Sequence, residues 1–287
     1  MIREPAVAGQ FYEGNPDALR KSIENCFLQS NVGPGKLPKD VERHNKREII
    51  SLISPHAGYM YSGPVAAHGF LELWKDRIEP PDTIIILGPN HHGGIDVSIM
   101  NEGGWKTPLG TVNIDVDIAN EIASKSDIIQ PDFYSQAYEH SIEVQLPFLQ
   151  YLYGSNFKFV PICILSHSFE YCKIIGDAVS SVIEKNKDKD ILIVASTDFT
   201  HFEPHEVARK KDRMAISAIE KLDAKLLFDT VSKERISMCG VNPVTATIIA
   251  SNKLNARQAK FLKWASSGDI ISDKSRVVGY GSIIILK

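Results

Sequence analysis

The chain has 287 residues, 43% of them hydrophobic, with 32 lysines and arginines against 35 aspartates and glutamates and a net charge of -3. That apolar content suffices for a substantial core without disulfide or metal staples, and the near balance of charge excludes the general electrostatic footprint of a nucleic-acid or anionic-membrane binder. No stretch reaches the ~18 consecutive apolar residues of a spanning helix, "MIREPAVAGQFYEG" has no apolar signal-peptide core, and Cys26, Cys163, Cys172 and Cys239 form no C-x-x-C pair, so a cytoplasmic protein with reduced thiols is expected.

In chain order, short runs rich in Ile, Val and Leu read as strands covered on both faces: "EIISLIS", "TIIILG", "FKFVPICIL", "ILIVAST" and the terminal "VVGYGSIIIL". Between them, apolar residues recur at helical spacing in "GPVAAHGFLELW", "EHSIEVQLPFLQYLYG" (with a bend expected at Pro147), "FEYCKIIGDAVSSVIEK", "EVARKKDRMAISAIEKL" and "NPVTATIIASNKL". This alternation predicts a single α/β domain over residues 1–287, with a central mixed, largely parallel sheet flanked by helices. The polar stretches "NVGPGKLPKDVERHNKRE" and "KNKDKD" read as surface loops.

Three strands run directly into histidine-bearing loops: "PHAGY" with His56, "PNHHGG" with His91 and His92, and "TDFTHF" with Asp198 and His201. The carboxyl ends of strands in an open α/β sheet form the crevice where ligands bind, so these residues are expected to converge there. A single loop histidine is more often a hydrogen-bonded structural residue; three such loops on one edge carry more weight. Neighbours in an extended segment point to opposite sides, so at most one of His91 and His92 faces a given site. Cys239 precedes a helix beginning near Asn242 with Pro243 in its first turn, where the helix N-terminus favours thiolate; the plainer reading is a small buried residue at a helix entry. Glu139, His140 and Glu143 open an amphipathic pattern, where acidic groups suit the helix dipole without any chemistry. There is no phosphate loop, no G-x-S-x-G elbow and no G-x-G-x-x-G opening a helix.

Together "REPAVAGQFY", "PHAGYMYSGPVAAH", "ILGPNHHG", "TPLG", "EHSIEVQLPFLQ", "STDFTHF", "MCGVNPV" and "VVGYGSIII", in this order and spanning nearly the whole chain, resemble the Memo family. The resemblance implies a fold similar to that of class III extradiol dioxygenases of the LigB type, with a mononuclear metal site in a cleft at the sheet edge. It carries the metal-ligand roles onto His56, His91 (not His92) and Cys239, and places Asp198 and His201 around them. Extradiol enzymes hold Fe(II) with two histidines and a carboxylate; a thiolate third ligand makes iron, copper or zinc admissible and argues against ring cleavage.

The expected function is that of a metal-dependent oxidoreductase using iron or copper, with His201 as proton donor or acceptor and Asp198 orienting it or a bound water. The alternative is a non-enzymatic module that binds a peptide or protein in the same cleft. The resemblance also implies radical-SAM and AMMECR1-like proteins as partners beside an unidentified small molecule or peptide, and metal-assisted hydrolysis with zinc is a third reading.

Overall fold

The fold is that of a computed structural model describing residues 1–29 and 31–287. In chain order it contains β1 (Ile2–Arg3), α1 (Pro16–Leu28), β2 (Ile49–Ser54), α2 (Tyr59–Asp76), β3 (Thr83–Pro89), β4 (Val97–Ile99), β5 (Gly104–Thr107), β6 (Gly110–Ile114), α3 (Val116–Ala123), β7 (Gln130–Pro131), α4 (Leu146–Tyr153) and β8 (Lys158–Ile164). There follow α5 (Phe169–Lys185), β9 (Ile191–Ser196), β10 (His201–Glu203), α6 (His205–Glu220), α7 (Ala224–Lys233), α8 (Val241–Lys253), β11 (Gln258–Ser266), α9 (Ser267–Ile271) and β12 (Val277–Leu286).

The main path of the sheet runs β1-β5-β6-β8-β3-β9-β2-β12-β10. Its centre, β6 through β8, β3 and β9 to β2, is parallel. β12 lies antiparallel to β2 and pairs antiparallel with β10 and β11, while β5 is antiparallel to β6. This is the mixed, largely parallel sheet flanked by helices that the alternation predicts. Every residue of β2, β3 and β9 is buried, which is why these strands read as unbroken apolar runs.

Successive side chains of a strand face opposite ways, and β2 shows what covers each face. Leu52 packs under α2, where a Cβ on Gly69 would collide with Leu52 Cδ1 and Ser282 Oγ, so the helix rests directly on the sheet. Ser51 points the other way and meets Ser251 of α8 at 3.0 Å between hydroxyl oxygens. On the α2 side Phe70 and Phe148 stack with centroids 4.7 Å apart, both buried; burial of each contributes ~1.5–3 kcal/mol.

Three departures from the expected elements have local causes. The segment 139–154 is not one bent helix: a 3-10 turn at Glu143–Gln145 precedes α4, and Pro147 sits in the first turn of that helix, where its missing N–H costs nothing. α2 starts at Tyr59, earlier than expected, and holds Pro64 inside; the carbonyl left without its helical donor belongs to the exposed Met60, where water reaches it. In β11 Gln258 and Lys260 are exposed around buried Ala259, residues 261–264 are half-buried and Ala265 and Ser266 are buried, too broken for a period-two signal, and its nine residues are held by pairing with β12.

Candidate metal centre

Parallel strands β2, β3 and β9 lie side by side, so their carboxyl ends deliver three loops to one place. There His56, His91 and Cys239 bring one ligand atom each within 4.8 Å of the others, and His91, Glu139 and His140 form a second such group sharing His91. The Cys239 sulfur lies 3.3 Å from His56 Nε2. His92 belongs to neither group; its ring is exposed, and its backbone N–H donates to Asn90 Oδ1 at 2.9 Å.

The surrounding hydrogen bonds fix which ring nitrogen carries the proton. Ser196 Oγ donates to the Ser141 carbonyl at 2.6 Å and accepts from Gln145 Nε2 at 3.0 Å. Its proton is thereby committed, so His56 Nδ1, 2.8 Å away, must donate to it, leaving the Nε2 lone pair toward Cys239. His91 Nδ1 faces Glu139 Oε1 at 3.0 Å, and an ionised carboxylate only accepts, so His91 also keeps Nε2 free. His201 Nδ1 faces the Ser237 carbonyl at 2.8 Å, which again only accepts. All three imidazoles are thus assigned the Nδ1–H form with Nε2 available, the arrangement of metal-ligating histidines oriented by outer partners.

Electrostatics follow from burial. His56 is held well below the ordinary imidazole range by burial and by the neighbouring His140 and His91, so it is neutral. His140 is lowered to about 4, burial again leading. Glu139 is fully buried, which opposes ionisation, yet hydrogen bonds from the His91 side chain and backbone, with the pull of His91 and His140, hold it below the usual carboxylate range. Asp198 is pushed up to about 6 by burial, against the pull of its hydrogen bond from His56 N–H at 2.8 Å. Burial and the Asp198 carboxylate raise the Cys239 thiol. Cys239 lies one residue before Gly240, the N-cap of α8, so desolvation there opposes the field of the helix terminus.

Close packing sets the position of Cys239. A Cβ on Gly240 would collide with the Ser196 carbonyl and Thr197, and the Gly240 N–H donates to Thr197 Oγ1 at 3.0 Å. Asp198 N–H donates to the Cys239 sulfur at 3.3 Å. His201 is held at the site's edge by Ser237, whose Oγ accepts from the His201 N–H at 2.7 Å. The His91 side chain is 33% exposed against 2% for His56, so the group opens to solvent on the His91 side.

Glu139 and Glu143 do not serve the helix terminus to which the sequence assigned them. Glu143 is fully buried, pairs with Arg3 at 2.7 Å and accepts from the backbone of Ala6 and Val7 and from Tyr12, which ties the N-terminal segment to the site loop. His140 stacks on His91 with centroids 4.6 Å apart. The sequence signal for that pair, an acid next to a histidine, is weak on its own. Ser196, Gln145 and Gly240 carry no distinguishing pattern beyond adjacency to the loops.

The family described as "Memo-like protein" matches residues 3–284. A MEMO1 family protein of Sulfurisphaera tokodaii is 48% identical over 284 residues, covering 99% of each chain. MEMO1 family protein MK0963 of Methanopyrus kandleri is 46% identical over 285 residues, again 99% of each. Among solved structures, uncharacterized protein JW3007 from Escherichia coli K12 superposes with a TM-score of 0.55 at 12% identity, covering 83% of this chain and 99% of that one, a likeness of fold alone. Among the described residues no helix is long and apolar enough to cross a membrane. With a family match over almost its full length and relatives near half identity, the chain belongs to the Memo-like family.

Proposed function

We propose that the protein is a metal-dependent oxidoreductase whose mononuclear centre is held by His56 Nε2, His91 Nε2 and Cys239 Sγ. The observation that carries this reading is the convergence of these three donors within 4.8 Å, with both imidazoles in the Nδ1–H form. Two imidazole nitrogens and one sulfur suit iron or copper, and also zinc. Iron or copper bound there would supply one-electron chemistry.

The residues of the chain supply the rest. Ser196 and Glu139 keep the imidazoles oriented, and Gly240 lets the sulfur approach them. His201, partly exposed with Nε2 free, accepts or donates a proton, and Asp198 holds the His56 backbone in place. The thiol proton of Cys239 must leave when metal binds. The test is anaerobic reconstitution with Fe(II) or Cu(I), followed by oxidation and optical spectroscopy. A sulfur-to-metal charge-transfer band in wild type that is absent in Cys239→Ser supports the reading; occupancy by zinc alone, with no redox-active metal retained, refutes it.

A second reading has a specific observation behind it. Tyr138 and Phe202, each adjacent to a site residue, are 72% and 62% exposed, as a peptide- or protein-binding rim would be. A partner, including a radical-SAM or AMMECR1-like protein, whose binding survives His56→Ala/His91→Ala would favour that reading over the redox one.

A further inference from the structure

Cys239 borders a second space besides the histidine group. A cavity of about 570 Å³ is lined by Phe228, Val231, Ile236, Met238 and Val241, with His167, Arg235 and Cys239 among the polar groups at its boundary. That volume lies within the range of small-molecule sites, which are mostly apolar with a few placed polar groups. Val231, Ile236, Met238 and Val241 are nearly buried and the half-buried Phe228 stands beside them, so they show the cavity a narrow apolar floor anchored in the packing around α7 and α8.

Charge selects the ligand. Among the described residues no acidic side chain lines the cavity. Arg235 is exposed, and among the described residues its guanidinium makes no ion pair or hydrogen bond; its backbone alone is engaged, the carbonyl accepting from Lys211 Nζ at 3.3 Å and the N–H donating to the Ser232 carbonyl at 3.3 Å. A guanidinium prefers a carboxylate, which it can grip through two N–H groups.

We infer that this cavity binds an amphiphilic carboxylate, with its acidic group at Arg235 and its apolar body along Val231, Ile236 and Met238, ending beside Cys239. The inference rests on the proposed metal centre only in calling the ligand a substrate or product; the binding itself needs no metal. The substrate class is then an aliphatic or aryl acid whose apolar end, rather than its carboxylate, lies toward the His56, His91 and Cys239 group.

The test uses the full chain with [methyl-13C]methionine, decanoate as the probe and decanol as its uncharged counterpart. Of the five methionines, Met238 reports the cavity, and the buried Met100, whose sulfur accepts from Trp105 Nε1 at 3.2 Å, reports the fold. Decanoate is expected to shift the Met238 methyl signal saturably in metal-free protein while Met100 stays put. Arg235→Gln should weaken decanoate about tenfold and leave decanol unchanged, and Val231→Trp should abolish binding of both. An unmoved Met238 signal at millimolar decanoate, or equal binding in Arg235→Gln with Met100 intact, overturns the inference. In protein loaded with Co(II), broadening of the decanoate terminal methyl ahead of its α-protons is expected; the reverse order overturns the orientation. Saturable decanoate binding in a protein that retains no metal sinks the redox reading and leaves the pocket standing, while metal retention without decanoate binding does the opposite.

Discussion

Removing the Ser196 hydroxyl separates a merely convergent group of side chains from an oriented ligand set. Ser196→Ala takes away a buried oxygen that accepts from His56 Nδ1 and Gln145 Nε2 and donates to the Ser141 carbonyl. Gln145 keeps a second bond, to the Pro55 carbonyl at 2.9 Å, so the groups left unsatisfied are mainly the His56 Nδ1–H and the Ser141 carbonyl. Each costs ~1–3 kcal/mol when buried, and some relaxation brings the expected loss of stability to ~2–4 kcal/mol. At ~2 °C per kcal/mol for a chain of this size, Tm falls by ~4–8 °C. The second consequence concerns binding: His56 loses the partner that fixes its tautomer, and metal affinity should fall ~10–100-fold. Competitive chelator titration of folded Ser196→Ala below its Tm measures this. Wild-type affinity in the folded variant would refute the assignment of Nδ1–H to His56 and with it the orienting role of Ser196.

The other predictions follow from single contacts. Ser54, on the neighbouring strand β2, has a buried hydroxyl without a partner among the described residues, so Ser54→Ala should be neutral or slightly stabilising in urea unfolding; a loss above ~1 kcal/mol would show an unrecognised partner. Glu143→Gln strips the counter-charge from buried Arg3 and should cost ~3–5 kcal/mol. The apolar double variant Arg3→Met/Glu143→Leu should not recover that loss, because the N–H groups of Ala6 and Val7 and the Tyr12 hydroxyl still need an acceptor; full recovery in thermal unfolding would contradict this. Gly240→Ala must displace the Ser196 carbonyl or Thr197 and is expected to cost ~1–3 kcal/mol. It should also weaken metal binding, measured by the same chelator titration, since Cys239 moves with it; affinity unchanged in the folded variant would remove Gly240 from the site.

Where the chain is buried on both faces, its structure is legible from pattern alone. The strands 277–286 and 83–89 and the helix 169–185 fall where continuous apolar runs or helical periodicity put them. The convergence of the His56, His91 and Asp198 loops was likewise readable, because neighbouring parallel strands must end on the same edge. Choosing His91 over His92 needed the family resemblance, since alternation says only that one of the two faces inward. The state of Cys239 and the roles of Glu139 and Glu143 were not legible. Helix-terminus reasoning supplies a local field but neither the desolvation around Cys239 nor the partners distant in sequence, Arg3 and His91, that hold the two carboxylates. The helix expected from residue 139 failed for a related reason: buried Glu143 is drawn to Arg3, a partner 140 residues away in sequence, over the local dipole.

The most direct test of the central claim is elemental analysis of anaerobically purified wild type beside the His56→Ala/His91→Ala/Cys239→Ala variant. Near-stoichiometric iron or copper in wild type, lost in a variant that keeps its circular-dichroism spectrum, is the predicted result. No redox metal in either protein, or metal retained by the variant, would contradict a centre built from these three side chains.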